Sequence, residues 1–245
     1  AHPVHNRNLY LLDSLSPHFR LTFNCAASVL ILKKVSSMTQ PIPKLLVATG
    51  NPGKAHELAD LLAGVPFEIV WLWDLALPTE IDEPADTFEG NAVIKAEAYA
   101  EMSGLLTLAD DSGLEVDALN GEPGVHSKRF AGEDATDEDR ARIVLQKLAG
   151  VPWEERTAQY RCVIAVAEPG VNTVTCEGVC SGMIGYELRG NAGFGYDPVF
   201  YLPEYGKTVA ELPLKEKNKI SHRAKAAKQA GALLKERSNS SVRLT

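Results

Sequence analysis

The chain is short of positive charge, of long apolar runs and of patterned cysteine, and each shortage removes a class of function. Its 25 lysines and arginines face 32 aspartates and glutamates, a net charge of -7. Coating nucleic acid or lying on an anionic membrane needs a broad basic surface, so neither partner is expected. The apolar run 25–32 is too short to span a bilayer, and Lys33-Lys34 follow it without a small-residue cleavage pattern. Cys25, Cys162, Cys176 and Cys180 form no disulfide framework, and no ligands for zinc accompany the Cys176/Cys180 spacing. They read as reduced, half-buried strand residues of a cytoplasmic protein. A P-loop is missing too, because no four-residue gap leads to Gly-Lys-Ser/Thr, which disfavours a P-loop kinase.

What is present is ordinary globular material: 245 residues, 45% hydrophobic, enough to bury a core as one large domain or two lobes. Residues 1–37 differ from the rest. They hold His2, His5 and His18 of the six histidines and Arg7, Arg20, Lys33 and Lys34 against the single acid Asp13, leaving 21 basic and 31 acidic residues in 38–245. We read 1–37 as a non-native or disordered extension, Met38 as the natural start, and 38–245 as a single domain of two lobes.

Residues 44–49 read as a buried strand ended by the turn chemistry of Gly50-Asn51-Pro52-Gly53. A helix follows with Leu58, Leu61 and Leu62 on one face and Glu57 and Asp60 off it. A second strand is expected over 67–72, then an acidic loop with Pro78, Asp82, Pro84 and Asp86. Thr87 caps a helix carrying Ala92, Ala96, Tyr99 and Ala100. A short strand over 105–109 ends in Asp110-Asp111. Thr136 starts a helix whose acids Asp137, Glu138 and Asp139 suit the positive end of the dipole. Residues 161–167 and 173–182 pair as a hairpin around Pro169-Gly170, with Tyr160, Cys162, Ile164 and Val166 on one face. A last helix from His222 presents Ala226, Ala230, Leu233 and Leu234, then frays into a Ser/Asn-rich end. This alternation predicts an α/β fold with a mixed sheet, flanking helices and two lobes.

Four segments carry chemistry. Thr49-Gly50-Asn51-Pro52-Gly53-Lys54 lies where a strand hands over to a helix, so backbone amides, the helix N-terminus and the Lys54 charge would favour an anion. Taken alone, it is as well read as a turn with a solvated lysine. Asp110-Asp111, with Ser112-Gly113 turning sharply after them, put two carboxylates together at a sheet edge, where Mg²⁺ would relieve their repulsion and one acid could orient a water. The alternative there is an Asx turn. Gly193-Phe194-Gly195-Tyr196-Asp197 offers an aromatic platform between glycines, although Phe194 also suits a core. Lys217 and Ser221-His222-Arg223 gather donors at a helix start; by themselves they read as a solvated face.

Together, VATGNPGK, TFEGNAVIKA, ADDSGLEVDAL with GEPGVHSKRFAG, GFGYDPVF and KNKISHRAKA resemble the inosine triphosphate pyrophosphatase family in motif order from about residue 44 to 234. The resemblance implies an elongated mixed α/β fold with a cleft between two lobes, a homodimer, Mg²⁺ dependence, and cleavage of ITP, dITP or XTP to the monophosphate and pyrophosphate. It implies Thr49–Lys54 for the triphosphate, Asp111 as metal ligand and proton acceptor with Ser112 beside it, and Phe194, Gly195, Tyr196, Asp197, Lys217, His222 and Arg223 as substrate contacts. His222 and Arg223 would read the 6-carbonyl of the purine. One departure stands out: where the family often has a metal-binding Glu before Asn-Ala, this chain has Gly90. The metal would then fall to Glu89 or to Asp110 with Asp111, and a non-catalytic nucleotide sensor becomes the competing reading.

Overall fold

A computed structural model describes residues 42–132 and 134–242, with side chains to 239. The expectations for 1–37, Met38 and Cys25 lie outside the described residues.

Seven strands form one mixed sheet in the order β2-β1-β3-β4-β5-β6-β7. β1 (Lys44–Val47) pairs in parallel with β2 (Glu68–Trp71) and β3 (Leu106–Val116). β4 (Thr157–Glu168), β5 (Val171–Ile184), β6 (Phe200–Leu202) and β7 (Lys207–Thr208) continue it in antiparallel fashion. The parallel strands need crossovers, supplied by helix α1 (Pro52–Leu61) between β1 and β2 and α2 (Phe88–Ser103) between β2 and β3.

Alternation along β1 divides the core. Leu45 and Val47 face Leu58 and Leu62 around α1 and Ala226, Ala230 and Leu234 of α5 (His222–Val242), the long helix that follows the short α4 (Leu214–Ile220). Leu46 and Ala48 face Phe88, Ala92, Ala96 and Tyr99 of α2 on the opposite side. A third cluster lies at the other end of the sheet, where Ala141 and Val144 of α3 (Asp137–Lys147) pack with Leu114, Tyr160 and Phe200. The helix starts follow the expected chemistry. Thr87 Oγ1 accepts from the Gly90 amide, and Thr136 forms a reciprocal capping box with Asp139, each cap worth about 1 kcal/mol.

Three expectations are corrected here. The strand through the aspartates does not end at them. β3 runs on to Val116 because its partner β4 continues, pairing Asp110 with Ile164, Asp111 with Val163 and Gly113 with Arg161. Ser112-Gly113 is therefore extended backbone and no sharp turn. Second, Glu57, expected off the apolar face of α1, is nevertheless buried at 2% exposure. Third, α5 runs on through the Ser/Asn-rich segment, where fraying was expected, to Val242.

The start of α5 is fixed by a close crossing. A Cβ on Gly178 of β5 would lie 2.1 Å from the His222 carbonyl oxygen and 2.6 Å from the Ala226 nitrogen, so only glycine lets the helix come this near the sheet. His222 and Arg223 are thereby carried inward, where both are buried.

Candidate active site

β1 stops at Val47 while β3 runs on, and the last link between them is the Ala48 amide donating to the Leu108 carbonyl at 2.7 Å. The sheet edge opens there into a cleft of about 310 Å³, a size suited to a small-molecule ligand. Thr49, Gly50, Asn51, Lys54, Asp111, Ser112, Phe194, Gly195, Tyr196, Asp197, Lys217, His222 and Arg223 all line it. Pro52 and Gly53 do not.

The turn before α1 is more closed than its sequence suggests. Asn51 caps the helix: its Oδ1 accepts from the Gly53 and Lys54 amides at 2.8 and 3.1 Å, while its own amide donates to Thr49 Oγ1 at 3.2 Å. Those amides are engaged within the loop, so the expected cradle of free N–H groups is reduced. What the turn presents to an anion is chiefly the Lys54 ammonium and the helix dipole. Gly53 has a different task. A Cβ there would lie 2.5 Å from Phe194 Cδ1, so the missing side chain lets the ring pack against the turn.

Asp110 and Asp111 are not a carboxylate pair. As neighbours in a strand they point to opposite faces. Asp110 faces α1 and α5, where its Oδ2 lies 3.0 Å from Lys54 Nζ and 3.3 Å from Arg223 Nη2. Burial opposes its ionisation, but Lys54, Arg223 and Lys95 outweigh that cost and hold the carboxyl well below the usual range. Asp111 faces α2. Its Oδ1 accepts from the Ser112 amide at 2.9 Å and its Oδ2 from Asn91 Nδ2 at 3.2 Å. Burial dominates there and raises its pKa, with Glu83 adding to the rise against Lys54, Lys95 and the Asn91 hydrogen bond.

The metal expectation is corrected accordingly. Asp110, on the far face and held by cations, does not complete a site with Asp111. Nor does Glu89, whose Oε1 instead accepts from Thr175 Oγ1 at 2.9 Å over β5. A Cβ on Gly90 would lie 2.7 Å from the Ala85 Cβ, so the acidic loop packs directly on this turn of α2. Among the described residues no three His, Cys, Asp or Glu side chains are grouped to cage an ion. A carboxylate has about four acceptor sites, and Asp111 uses two of them within the protein. With Glu80, Asp82 and Glu83 also lining the cleft, this oxygen-rich surrounding fits a hard cation that keeps several waters.

The platform and its donors are held from below. Asp197, 2% exposed, accepts the Phe194 amide at 3.0 Å and an ion pair from Lys217. Its burial nevertheless raises its pKa against Lys217. Asp137 at the start of α3 accepts the Gly195 amide at 2.6 Å, and Tyr196 donates to the Ser127 carbonyl at 2.8 Å. Lys217 and Arg223 are buried and lie 4.8 and 5.6 Å from the Phe194 ring centroid, so the solvated reading of this helix start is wrong. Arg223 donates through Nε and Nη2 to Asp110, through Nη2 to Ser112 Oγ, and through Nη1 to Glu57, which leaves one of its five N–H groups. His222 stacks on Tyr160 at 4.6 Å, and burial, helped by Arg223 and Lys217, pushes its pKa well down. It is therefore held as a neutral imidazole.

Sequence reasoning missed Glu57, Asn91, Lys95 and Glu83. Glu57 follows Lys54 by three positions and Lys95 follows Asn91 by four, which are same-face helical spacings and the available signal for both. Lys95 Nζ reaches the Asp110 carbonyl at 3.1 Å and Glu83 at 2.8 Å.

A model of the Ham1 family matches residues 45–233. The dITP/XTP pyrophosphatase of Desulforamulus reducens is 53% identical over 191 residues, spanning 78% of this chain and 95% of that protein. The dITP/XTP pyrophosphatase of Bacillus subtilis is 47% identical over 189 residues, with 77% and 96% spanned. Among solved structures, a HAM1 protein from Coxiella burnetii superposes with a TM-score of 0.73 at 42% identity, over 79% of this chain and 99% of that one.

Proposed function

The chain belongs to the Ham1 family, and on that premise we propose that it is a nucleoside triphosphate pyrophosphatase. It hydrolyses non-standard purine nucleoside triphosphates, ITP, dITP and XTP, to the monophosphate and pyrophosphate, and so removes them from the nucleotide pool. The observation that carries this is one cleft uniting a carboxylate of raised pKa, Asp111, with Lys54, the Phe194 ring, Lys217, His222 and Arg223.

Asp111 acts as proton acceptor. Its raised pKa makes it a stronger base than an ordinary carboxylate, suited to taking a proton from the water that attacks the α-phosphorus. The bond from the α-phosphorus to the bridging oxygen breaks, and the electron pair leaves with pyrophosphate. Lys54 offsets the charge gathering on that leaving group. Asn91 fixes the Asp111 carboxylate by donating to its Oδ2. Asp111 would hold Mg²⁺, which when bound supplies positive charge to the phosphate oxygens. Phe194 stacks on the base, and the remaining Arg223 N–H with the neutral His222 reads the 6-oxo edge. A 6-amino group would leave such a buried donor unpaired, which is how the pocket rejects ATP. The non-catalytic sensor that Gly90 suggested is disfavoured by Asp111, whose raised pKa suits a base better than a passive contact.

The test is phosphate release coupled to inorganic pyrophosphatase, run on ITP, XTP, dITP, ATP and GTP with and without Mg²⁺. Turnover of the first three well above ATP and only with the metal is expected; no turnover of ITP overturns the reading. A homodimer in the cytoplasm belongs to the same proposal, and sedimentation at the monomer mass would remove the dimer from it. No helix of the described residues is long and apolar enough to cross a membrane.

A further inference from the structure

We propose that Asp137 is a positioning residue for base stacking, its carboxylate reaching from the first turn of α3 to hold the peptide next to the Phe194 ring. The proposal rests on the pyrophosphatase reading of the cleft. The three acids Asp137, Glu138 and Asp139 look interchangeable in the sequence, each suited to the positive end of a helix dipole. The structure gives them different work. Asp139 closes the capping box with Thr136, its Oδ2 accepting from the Thr136 amide at 2.9 Å. Glu138 pairs with Arg142 on the exposed side, accepting from its Nε at 2.9 Å. Of the three, Asp137 lines the cleft, and its Oδ2 accepts the Gly195 amide at 2.6 Å from 58 positions away in the chain.

That tether falls where the platform has least else to hold it. Gly193 and Gly195, on either side of Phe194, have φ of +75° and +65°, a region open to glycine. A Cβ on Gly193 would lie 2.0 Å from Asp197 Oδ2, so that side is closely packed; around Gly195 nothing beyond its chain neighbours comes within 4 Å of the corresponding point. Gly195 is therefore fixed by hydrogen bonding and not by packing. Two carboxylates hold two successive amides, Asp197 that of Phe194 at 3.0 Å and Asp137 that of Gly195. The Asp137 carboxylate is itself locked. Its Oδ1 accepts from Arg140 Nη2, while Arg140 Nη1 donates to the Ala135 carbonyl at 2.6 Å and the Arg140 side chain is only 13% exposed. One oxygen is taken within the helix turn, which leaves the other for the loop.

Without the carboxylate, the Phe194–Gly195 peptide is free to rotate between the two glycines. The ring then loses the place that sets its centroid 4.8 Å from Lys217 Nζ and 5.6 Å from Arg223 Cζ. A base stacks on an aromatic ring through its π-face, whatever its 6-substituent. The loss therefore falls on ITP and ATP alike, unlike the loss of a donor that reads the 6-oxo edge.

The experiment is a double-mutant cycle of wild type, Asp137→Ala, Phe194→Ala and the double variant, with thermal melting to establish that each is folded. Asp137→Ser, which suits a helix start but is too short to reach the Gly195 amide, takes the place of alanine if alanine does not fold. In Asp137→Ala, KM for ITP and for ATP is expected to rise about tenfold, within the worth of one stacked base, with kcat within about threefold of wild type and the ITP/ATP ratio unchanged. In the Phe194→Ala background the same substitution changes KM less than about twofold, because the ring it positions is gone. The acid limb of the pH profile, which reports Asp111, stays in place. An equal rise in both backgrounds, a wild-type KM in Asp137→Ala, or a narrowed ITP/ATP ratio overturns the proposal. Failure of the functional reading is seen separately, as wild type that does not hydrolyse ITP. Equilibrium binding of ITP and ATP across the same four proteins then still decides the role of Asp137.

Discussion

Asp110 and Asp111 are the same residue type, adjacent in one strand and both buried, yet the two faces of β3 give them opposite electrostatics. On the α1/α5 face Lys54 and Arg223 lie against Asp110, and its charged form is favoured. On the α2 face Asp111 feels Lys54 and Lys95 but not Arg223, and with the repulsion of Glu83 added desolvation wins over them and the Asn91 hydrogen bond. One strand therefore separates an anion that anchors the structure from one poised to take a proton. Burial penalises both; what differs is the count of cations within reach.

The largest expected effect comes from Asp111→Asn. Loss of the base should lower kcat by about 10²–10⁴ while nucleotide binding survives. Because the wild-type carboxylate is desolvated without an ion pair, the melting temperature should hold or rise. Turnover within a few-fold of wild type would remove Asp111 from the mechanism.

Asp110→Asn should invert that result. It leaves Lys54 and Arg223 facing a neutral amide in a buried site, and breaking such a pair costs about 3–5 kcal/mol. Denaturant unfolding should show the loss, while folded enzyme loses less activity than Asp111→Asn. If both variants lose turnover equally at unchanged stability, the two carboxylates act as one unit and the contrast between the faces is false.

The pH dependence separates the aspartates without mutation. Asp110, whose folded pKa is depressed, contributes stability that is complete above its unfolded pKa and is lost as pH falls through the lower folded value. Glu57 has the same sign. Asp111, raised, has the opposite: its contribution is present below the unfolded pKa and disappears as pH rises through the folded one. Activity should therefore fall off on acidification above the ordinary carboxylate range, while acid unfolding linked to Asp110 waits until well below it. Asn91→Ala should move only the first of these upward, since its amide donates to Asp111 and not to Asp110.

Much of this was legible in the sequence, and what was not has a physical reason. The strands of the parallel half, the caps Thr87 and Thr136, the β4–β5 hairpin and the order of the motifs follow from periodicity and turn chemistry, which are local. The continuation of β3 past the aspartates is not local, because it depends on β4 lying alongside. The burial of Glu57, which the helical pattern set off the apolar face, was not legible because its partners Lys217 and Arg223 are 160 or more positions away in the chain. For the same reason the Asp110-Asp111 pairing was misjudged: strand alternation was visible only once the strand was known to pass through them. The closed turn at Asn51 shows a local rule, helix capping, prevailing over the expected anion cradle.

The smallest expected effect is that of removing residues 1–37. We propose residues 38–245 as the working domain. Among the described residues, the side chains acting on either aspartate include Lys54, Glu83, Asn91, Lys95, Ser112 and Arg223, all in the part of the chain that follows Met38. The first 37 positions lack the hydrophobic periodicity and the charge balance of the rest of the chain. A protein starting at Met38 should accordingly keep its kcat/KM for ITP, the position of its acid limb and its melting temperature. A displaced acid limb at unchanged stability would mean that a charge from the removed segment reaches Asp111, and a lower melting temperature would place a stabilising contact there; either would sink the proposed boundary.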